Sequence, residues 1–228
     1  AARGAGVTLS LHAPYYISMA SEDADIRARS VEYILQSARA ADWMGAGRVV
    51  VHPGACGNRS RAEVLALACE MFRRALDALD AEGLGHIRIC PETMGKIGQL
   101  GTLDEVLSIC GLDERLLPCV DFGHLNARTG GGLATRADYA AVFGTIGRAL
   151  GDERARVFHA HFSQIEYTAA GEKRHLTFAE GGGYGPPFAP LAEELAVRGL
   201  APTIICESAG TQGADARRMK DVYLACLR

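Results

Sequence analysis

Short apolar runs rich in β-branched residues alternate with longer amphipathic stretches along this chain. Val7–His12, Arg48–His52, Ile87–Glu92, Leu117–Asp121, Arg156–His161 and Thr203–Glu207 are compact enough to predict strands buried on both faces, each closing on a loop signal. Between them the apolar period is helical. Ile26, Val31, Ile34, Leu35 and Ala38 fall on one face of a helix predicted over Asp23–Trp43. Ser60 with Glu63, and Thr102 with Glu105, have capping-box spacing and predict the next two helix starts. Ala137–Leu150, Phe188–Val197 and Gly213–Leu227 predict three more helices, and the glycine runs at 130–132 and 181–183 are read as long βα loops. Strand and helix alternate without a break in composition, which predicts one parallel α/β domain over residues 1–228. A doubly wound sheet and a (β/α)8 barrel both fit this order. No GxGxxG follows an early strand, which weakens a dinucleotide-binding sheet. A barrel takes about eight units and ~250 residues. The expectation is therefore a TIM barrel whose first two βα units are missing from this chain, an N-terminally incomplete piece of a longer protein.

Composition narrows the function. Of 228 residues, 48% are hydrophobic and 22% charged, which excludes a disordered or fibrous chain. Twenty-four Lys and Arg against 27 Asp and Glu give −3, so no broad cationic surface is implied. A polyanion would bind only where something else, such as metal, supplied positive charge. The seven cysteines are scattered, odd in number and form no CxxC. That argues against a disulfide scaffold or a cysteine zinc finger and fits the cytoplasm. No apolar run approaches the ~20 residues a membrane span needs.

The residues that end the predicted strands carry the chemistry. They are His12, His52, Glu92, Asp121, His161 and Glu207, at intervals of 40, 40, 29, 40 and 46 residues, one βα unit per step. In a barrel the C-terminal strand ends converge on the face that holds the active site. His124 and His175 lie just beyond two of these ends. Imidazoles and carboxylates are the usual ligands of zinc and neighbouring divalent ions. Five histidines and three carboxylates exceed one four-coordinate shell and suit two or three ions, the arrangement that activates water and clamps a phosphoryl group. His86, which precedes its strand, and His159, Cys90 and Cys119, each two residues before a strand end, are read as structural.

At these positions the sequence resembles the endonuclease IV family of apurinic/apyrimidinic endonucleases. The resemblance rests on Leu11-His-Ala-Pro-Tyr-Tyr16, Val51-His-Pro-Gly54, Pro91-Glu-Thr93, Val120-Asp-Phe-Gly-His124, Ala160-His161, His175 with Ala179-Glu-Gly181, and Cys206-Glu-Ser208, in the family's order along nearly the whole chain. It implies a (β/α)8 barrel of the xylose isomerase-like superfamily with three Zn2+ ions. His12, His52 and Glu92 would hold the first. Glu92 would bridge to a second, held also by Asp121, His161 and Glu207. His124 and His175 would hold the third. Glu92 and Glu207 are the carboxylates taken as catalytic. The implied activity is DNA repair, as a monomer: a zinc-activated hydroxide hydrolyses the phosphodiester 5′ to an abasic site in duplex DNA. Tyr15 and Tyr16 match loop positions that fill the gap left by the extruded nucleotide.

One position departs from the family. Two residues before the second histidine of the third site the family has Asp, and this chain has Lys173, so Glu172 would substitute only if the segment were shifted. Arg59, Arg61, Arg128, Lys173 and Arg174 are candidate backbone contacts whose plainer reading is solvated surface charge. The rival function is a xylose isomerase-like sugar isomerase or epimerase with a divalent metal at Glu92, Asp121, His161 and Glu207. The additional His12, His52, His124 and His175 favour the nuclease, because a one-metal isomerase does not require them. A degenerate, non-enzymatic barrel is the third reading, disfavoured by eight ligand-type residues.

Overall fold

The computed structural model describes residues 1–181 and 183–228; Gly182, within one of the glycine runs, lies outside the described residues. The described chain forms two compact units, Ala1–Glu92 with Gly98–Pro118, and Thr93–Ile97 with Cys119–Arg228.

The first unit contains β1 (Leu11–His12), α1 (Ala24–Met44), β2 (Arg48–Val51), α2 (Arg61–Ala81), β3 (Arg88–Pro91) and α3 (Leu103–Cys110). Its strands make a parallel sheet in the order β1-β2-β3, with Leu11 beside Val49 and Val50 beside Cys90. Val49, Val50 and Val51 are all buried, so β2 is covered on both faces. Asp23 caps α1 by accepting the N–H groups of Asp25 and Ile26, and the helix ends on left-handed Gly45 (φ 71°). Both expected capping boxes form, Ser60/Glu63 on α2 and Thr102/Glu105 on α3. α2 buries Val64, Ala68, Met71, Phe72, Ala75 and Leu79, a single stripe at helical spacing. Its first residue, Arg61, donates to both oxygens of Glu105 at 2.6 and 2.7 Å. The same carboxylate accepts the N–H groups of Gly101 and Thr102 at 2.8 and 2.9 Å, so one carboxylate ties the starts of α2 and α3.

The second unit contains β4 (Cys119–Asp121), α4 (Phe122–Arg128), α5 (Arg136–Leu150), α6 (Asp152–Val157), β5 (His159–Phe162), β6 (Gln164–Thr168), β7 (Gly171–Leu176), α7 (Phe188–Arg198), β8 (Thr203–Cys206) and α8 (Gln212–Cys226). A parallel sheet runs β4-β5-β8, with Asp121 beside His161, and β6 and β7 form an antiparallel hairpin. Phe122 packs edge-on against Tyr139, Phe143 and Phe158, with ring centroids 5.6, 6.2 and 6.5 Å away. This cluster seats α4 and α5 at the end of β4.

Each predicted strand is present but shorter. The Arg156–His161 prediction is corrected at its start: β5 begins at His159 because Asp152–Val157 closes as α6, with Asp152 and Glu153 in its first turn and Arg154 and Arg156 in its last. That charge order suits the helix dipole. The glycine run at 130–132 follows α4 rather than a strand, and His175 sits on β7 rather than in a loop. Among the described residues no helix is long and apolar enough to cross a membrane.

Candidate metal centres

Within the first unit, His12 ends β1, His52 follows β2 and Glu92 follows β3. Parallel register carries all three to one end of the sheet. The two imidazoles meet the same carboxylate oxygen: His12 Nε2 and His52 Nε2 each lie 3.1 Å from Glu92 Oε2. His12 Nδ1 donates to the carbonyl of Ala13 at 2.7 Å, which places the ring proton on Nδ1 and turns the Nε2 lone pair toward the cluster. Glu92 is buried, and the three residues offer ligand atoms within 4.8 Å of one another.

Within the second unit, Asp121 ends β4, His161 lies on β5 and Glu207 follows β8. His161 Nδ1 stands 3.2 Å from Glu207 Oε1 and 4.0 Å from Asp121 Oδ2. Asp121 divides its two oxygens. Oδ1 accepts the backbone N–H of His124 at 2.7 Å and caps α4. Oδ2 is fully buried and, among the described residues, accepts no hydrogen bond, with His124 Nδ1 3.5 Å away and committed to Thr93. A buried carboxylate oxygen without a donor is costly unless a proton or cation compensates it. This orphaned oxygen, with imidazole and carboxylate donors around it, fits a divalent cation.

His124 and His175 belong to a further cluster in the same unit. His124 Nδ1 donates to the carbonyl of Thr93 at 2.9 Å, and His175 Nδ1 pairs with Ser163 Oγ at 2.8 Å. Their rings stand edge to face, with centroids 5.4 Å apart. Glu172 is the third member: its Oε2 lies 3.4 Å from His124 Nε2 and its Oε1 3.8 Å from His175 Nε2. The sequence signal for Glu172 was adjacency alone, because its face depends on a strand irregularity.

Tyr15 and Tyr16 occupy the turn after β1 and are exposed, at 80% and 55%. Tyr16 stacks edge-on between Tyr15 and Tyr33. The candidate cations have structural partners. Arg61 binds Glu105, Arg59 donates to the carbonyl of Ala20, and Arg128 donates to the carbonyls of Met94 and Lys96. Lys173 and Arg174 both pair with Glu166. His86 pairs with Asp42 on the surface, and His159 is fully buried beside His161. Burial pushes the Cys90 thiol up to about 12.

A family model described as xylose isomerase-like TIM barrel matches residues 1–223. The chain belongs to that family. This member of the xylose isomerase-like TIM barrel family is 31% identical over 205 residues to an uncharacterised protein of Methanocaldococcus jannaschii, covering 90% of this chain and 73% of that protein. It is 30% identical over 169 residues to a probable endonuclease 4 of Thermoplasma acidophilum, covering 73% of this chain. The chain spans only 56% of that relative's length. The fold is also that of the solved endonuclease IV from Thermus thermophilus, with TM-score 0.68, 22% identity, and 97% of this chain and 76% of that chain covered. A solved D-tagatose 3-epimerase-like protein has TM-score 0.72 and 23% identity, with 97% and 78% covered. At these identities the two structures establish the barrel-type fold and leave the chemistry to the residues.

Proposed function

We propose that this chain is a metal-dependent DNA repair endonuclease that hydrolyses the phosphodiester 5′ to abasic sites. The observation that carries the reading is the pair of imidazoles sharing one oxygen of Glu92 at 3.1 Å, beyond the ligands that a one-metal isomerase requires. The likeness to the endonuclease 4 relative supports it. His12, His52 and Glu92 would hold one ion, Asp121, His161 and Glu207 a second, and His124 and His175 would serve a third. Their imidazole and carboxylate mixture suits zinc. Bound ions would supply a water ionised at neutral pH and positive charge opposite the attacked phosphate and its departing oxygen.

The chain's own groups do the rest. The Nδ1–H of His12 on Ala13 and the Nδ1–H of His124 on Thr93 fix both rings. Glu92 is buried, which keeps its carboxylate oriented, whereas Glu207 is 28% exposed and can exchange a proton with solvent. Tyr15 and Tyr16 offer exposed aromatic faces to fill a gap in stacked bases. The protein would act as a cytoplasmic monomer on duplex DNA.

The test is nicking of a duplex carrying one abasic analogue, with and without chelator, beside an assay for ketose epimerisation. Chelator-sensitive incision 5′ to the lesion is expected, and Glu92→Gln should lower it by at least about 10²-fold while leaving the circular dichroism spectrum unchanged. Full activity in that variant removes Glu92 from the mechanism. The epimerase reading draws on the D-tagatose 3-epimerase-like fold. Metal-dependent epimerisation without incision would select it.

A further inference from the structure

Residues two apart on a strand share a face, and residues three apart lie on opposite faces. Glu172 and His175 are three apart on β7, yet both direct carboxylate or imidazole atoms into one cluster with His124. The hairpin register accounts for it. Ile165 lies opposite His175 and Glu166 opposite Arg174, but Tyr167 lies opposite Glu172, so Lys173 is an extra residue on β7. Such a bulge changes the face of everything beyond it. Glu172 thereby joins His175 on the face that carries buried Ile165, while Lys173 and Arg174 project to the other face and pair with Glu166.

The neighbouring segment is shaped to receive Glu172. A Cβ at Gly95 would stand 2.6 Å from Glu172 Cβ, 2.8 Å from its Oε2 and 3.0 Å from His124 Cδ2. Only a residue without a side chain leaves that space. The Glu172 N–H donates to the Gly95 carbonyl at 3.1 Å, and the preceding Gly171 adopts φ 92°, which side chains disfavour. The donor chemistry agrees. His124 Nδ1 carries the proton given to Thr93, so its Nε2 is an acceptor in the neutral ring, and it faces a carboxylate oxygen at 3.4 Å. Two acceptors so placed call for positive charge between them.

We infer that Glu172, aimed inward by the bulge at Lys173, is the carboxylate that completes a divalent-cation site with His124 and His175. The inference rests on the proposed ligand role of those two histidines and adds the residue that makes the set sufficient. Two imidazoles and one carboxylate, with positions left open, suit a first-row divalent ion of the zinc type.

The experiment counts ions. Protein stripped with chelator, reloaded with Zn2+ and desalted is analysed by inductively coupled plasma mass spectrometry across a series of competing chelator concentrations. Glu172→Gln should hold one ion fewer than the unsubstituted protein. Gly95→Ala, whose added methyl displaces the carboxylate, should release the same ion at chelator concentrations at least about tenfold lower. Adding Lys173→Asp to Glu172→Gln should not recover it, because position 173 faces Glu166. A full, equally retained complement in Glu172→Gln overturns the inference, as does recovery by Lys173→Asp. Where Glu172→Gln does not fold, Gly95→Ala decides: earlier release supports the site, unchanged release overturns it. Incision with an unchanged ion count removes Glu172 and leaves the nuclease reading intact. Loss of one ion in a protein that never incises removes the nuclease and leaves the site.

Discussion

At the scale of single residues, Asp121 shows how a candidate metal ligand is held at the expense of stability. One oxygen caps α4, and the other is buried without a hydrogen bond among the described residues. An unsatisfied buried polar atom costs roughly 1–3 kcal/mol, more when charged. Asp121→Asn keeps an oxygen for the cap and removes the charge. In chelated protein this variant is expected to unfold at the same or a higher denaturant concentration than the unsubstituted chain, by up to about 1 kcal/mol. The same substitution should weaken zinc retention at least about tenfold. Chemical denaturation with and without zinc reads both effects. A clear destabilisation of the chelated variant would mean that Oδ2 is structurally compensated and not reserved for an ion.

At the scale of elements, the Arg61–Glu105 clamp gives α2 and α3 a pH-dependent joint. Burial pushes the Glu105 carboxyl up, but the Arg61 guanidinium and the N–H groups of Gly101 and Thr102 more than offset that and bring it from 4.5 to about 2. A carboxylate depressed on folding contributes its full stability above its unfolded value and loses it as pH falls through the folded one. The loss therefore runs from about pH 4.5 down to about pH 2. Arg61 is 39% exposed, so solvent screening reduces the contribution to about 2 kcal/mol. Glu105→Gln should lower stability by that amount at pH 7 and flatten its decline in acid, as followed by urea melts at several pH values. The elements that the sequence announced are those with this kind of local signature. The capping residues Ser60 and Thr102 and the buried run Val49–Val51 state their structure within a few positions. β6 and β7 escaped because Gln164–Thr168 and Gly171–Leu176 are polar strands of a hairpin with little apolar alternation. α4 escaped because it begins on the very residue that follows β4, with no loop between them. The candidate site shows the same division. His12, His52, Asp121, His161 and Glu207 are legible because a strand end fixes each one. Glu172 is legible only as the neighbour of the position where the resembled family has Asp, because its face is set by one inserted residue that no periodicity reveals.

At the scale of the whole molecule, charge separates the two enzymatic readings. The chain carries −3 and has no surplus of cations to draw in a polyanion. Several of its candidate basic side chains are already paired with Glu105 or Glu166. Two divalent ions would bring the net charge to +1 and three to +3, concentrated where the ligands lie. Attraction of DNA would then depend on the ions as much as on the polypeptide. Metal-loaded protein should accordingly bind an abasic duplex with an affinity that falls steeply and log-linearly with salt, through release of counterions from the phosphates. Chelated protein should bind it at least about tenfold more weakly at low salt. A neutral ketose has no counterions to release, so an epimerase of this fold would show a KM nearly independent of ionic strength. Fluorescence anisotropy of a labelled duplex over a salt series, with and without zinc, makes the comparison. Duplex binding that ignores both salt and zinc would disconnect the imidazole–carboxylate clusters from DNA and shift the assignment toward an uncharged substrate.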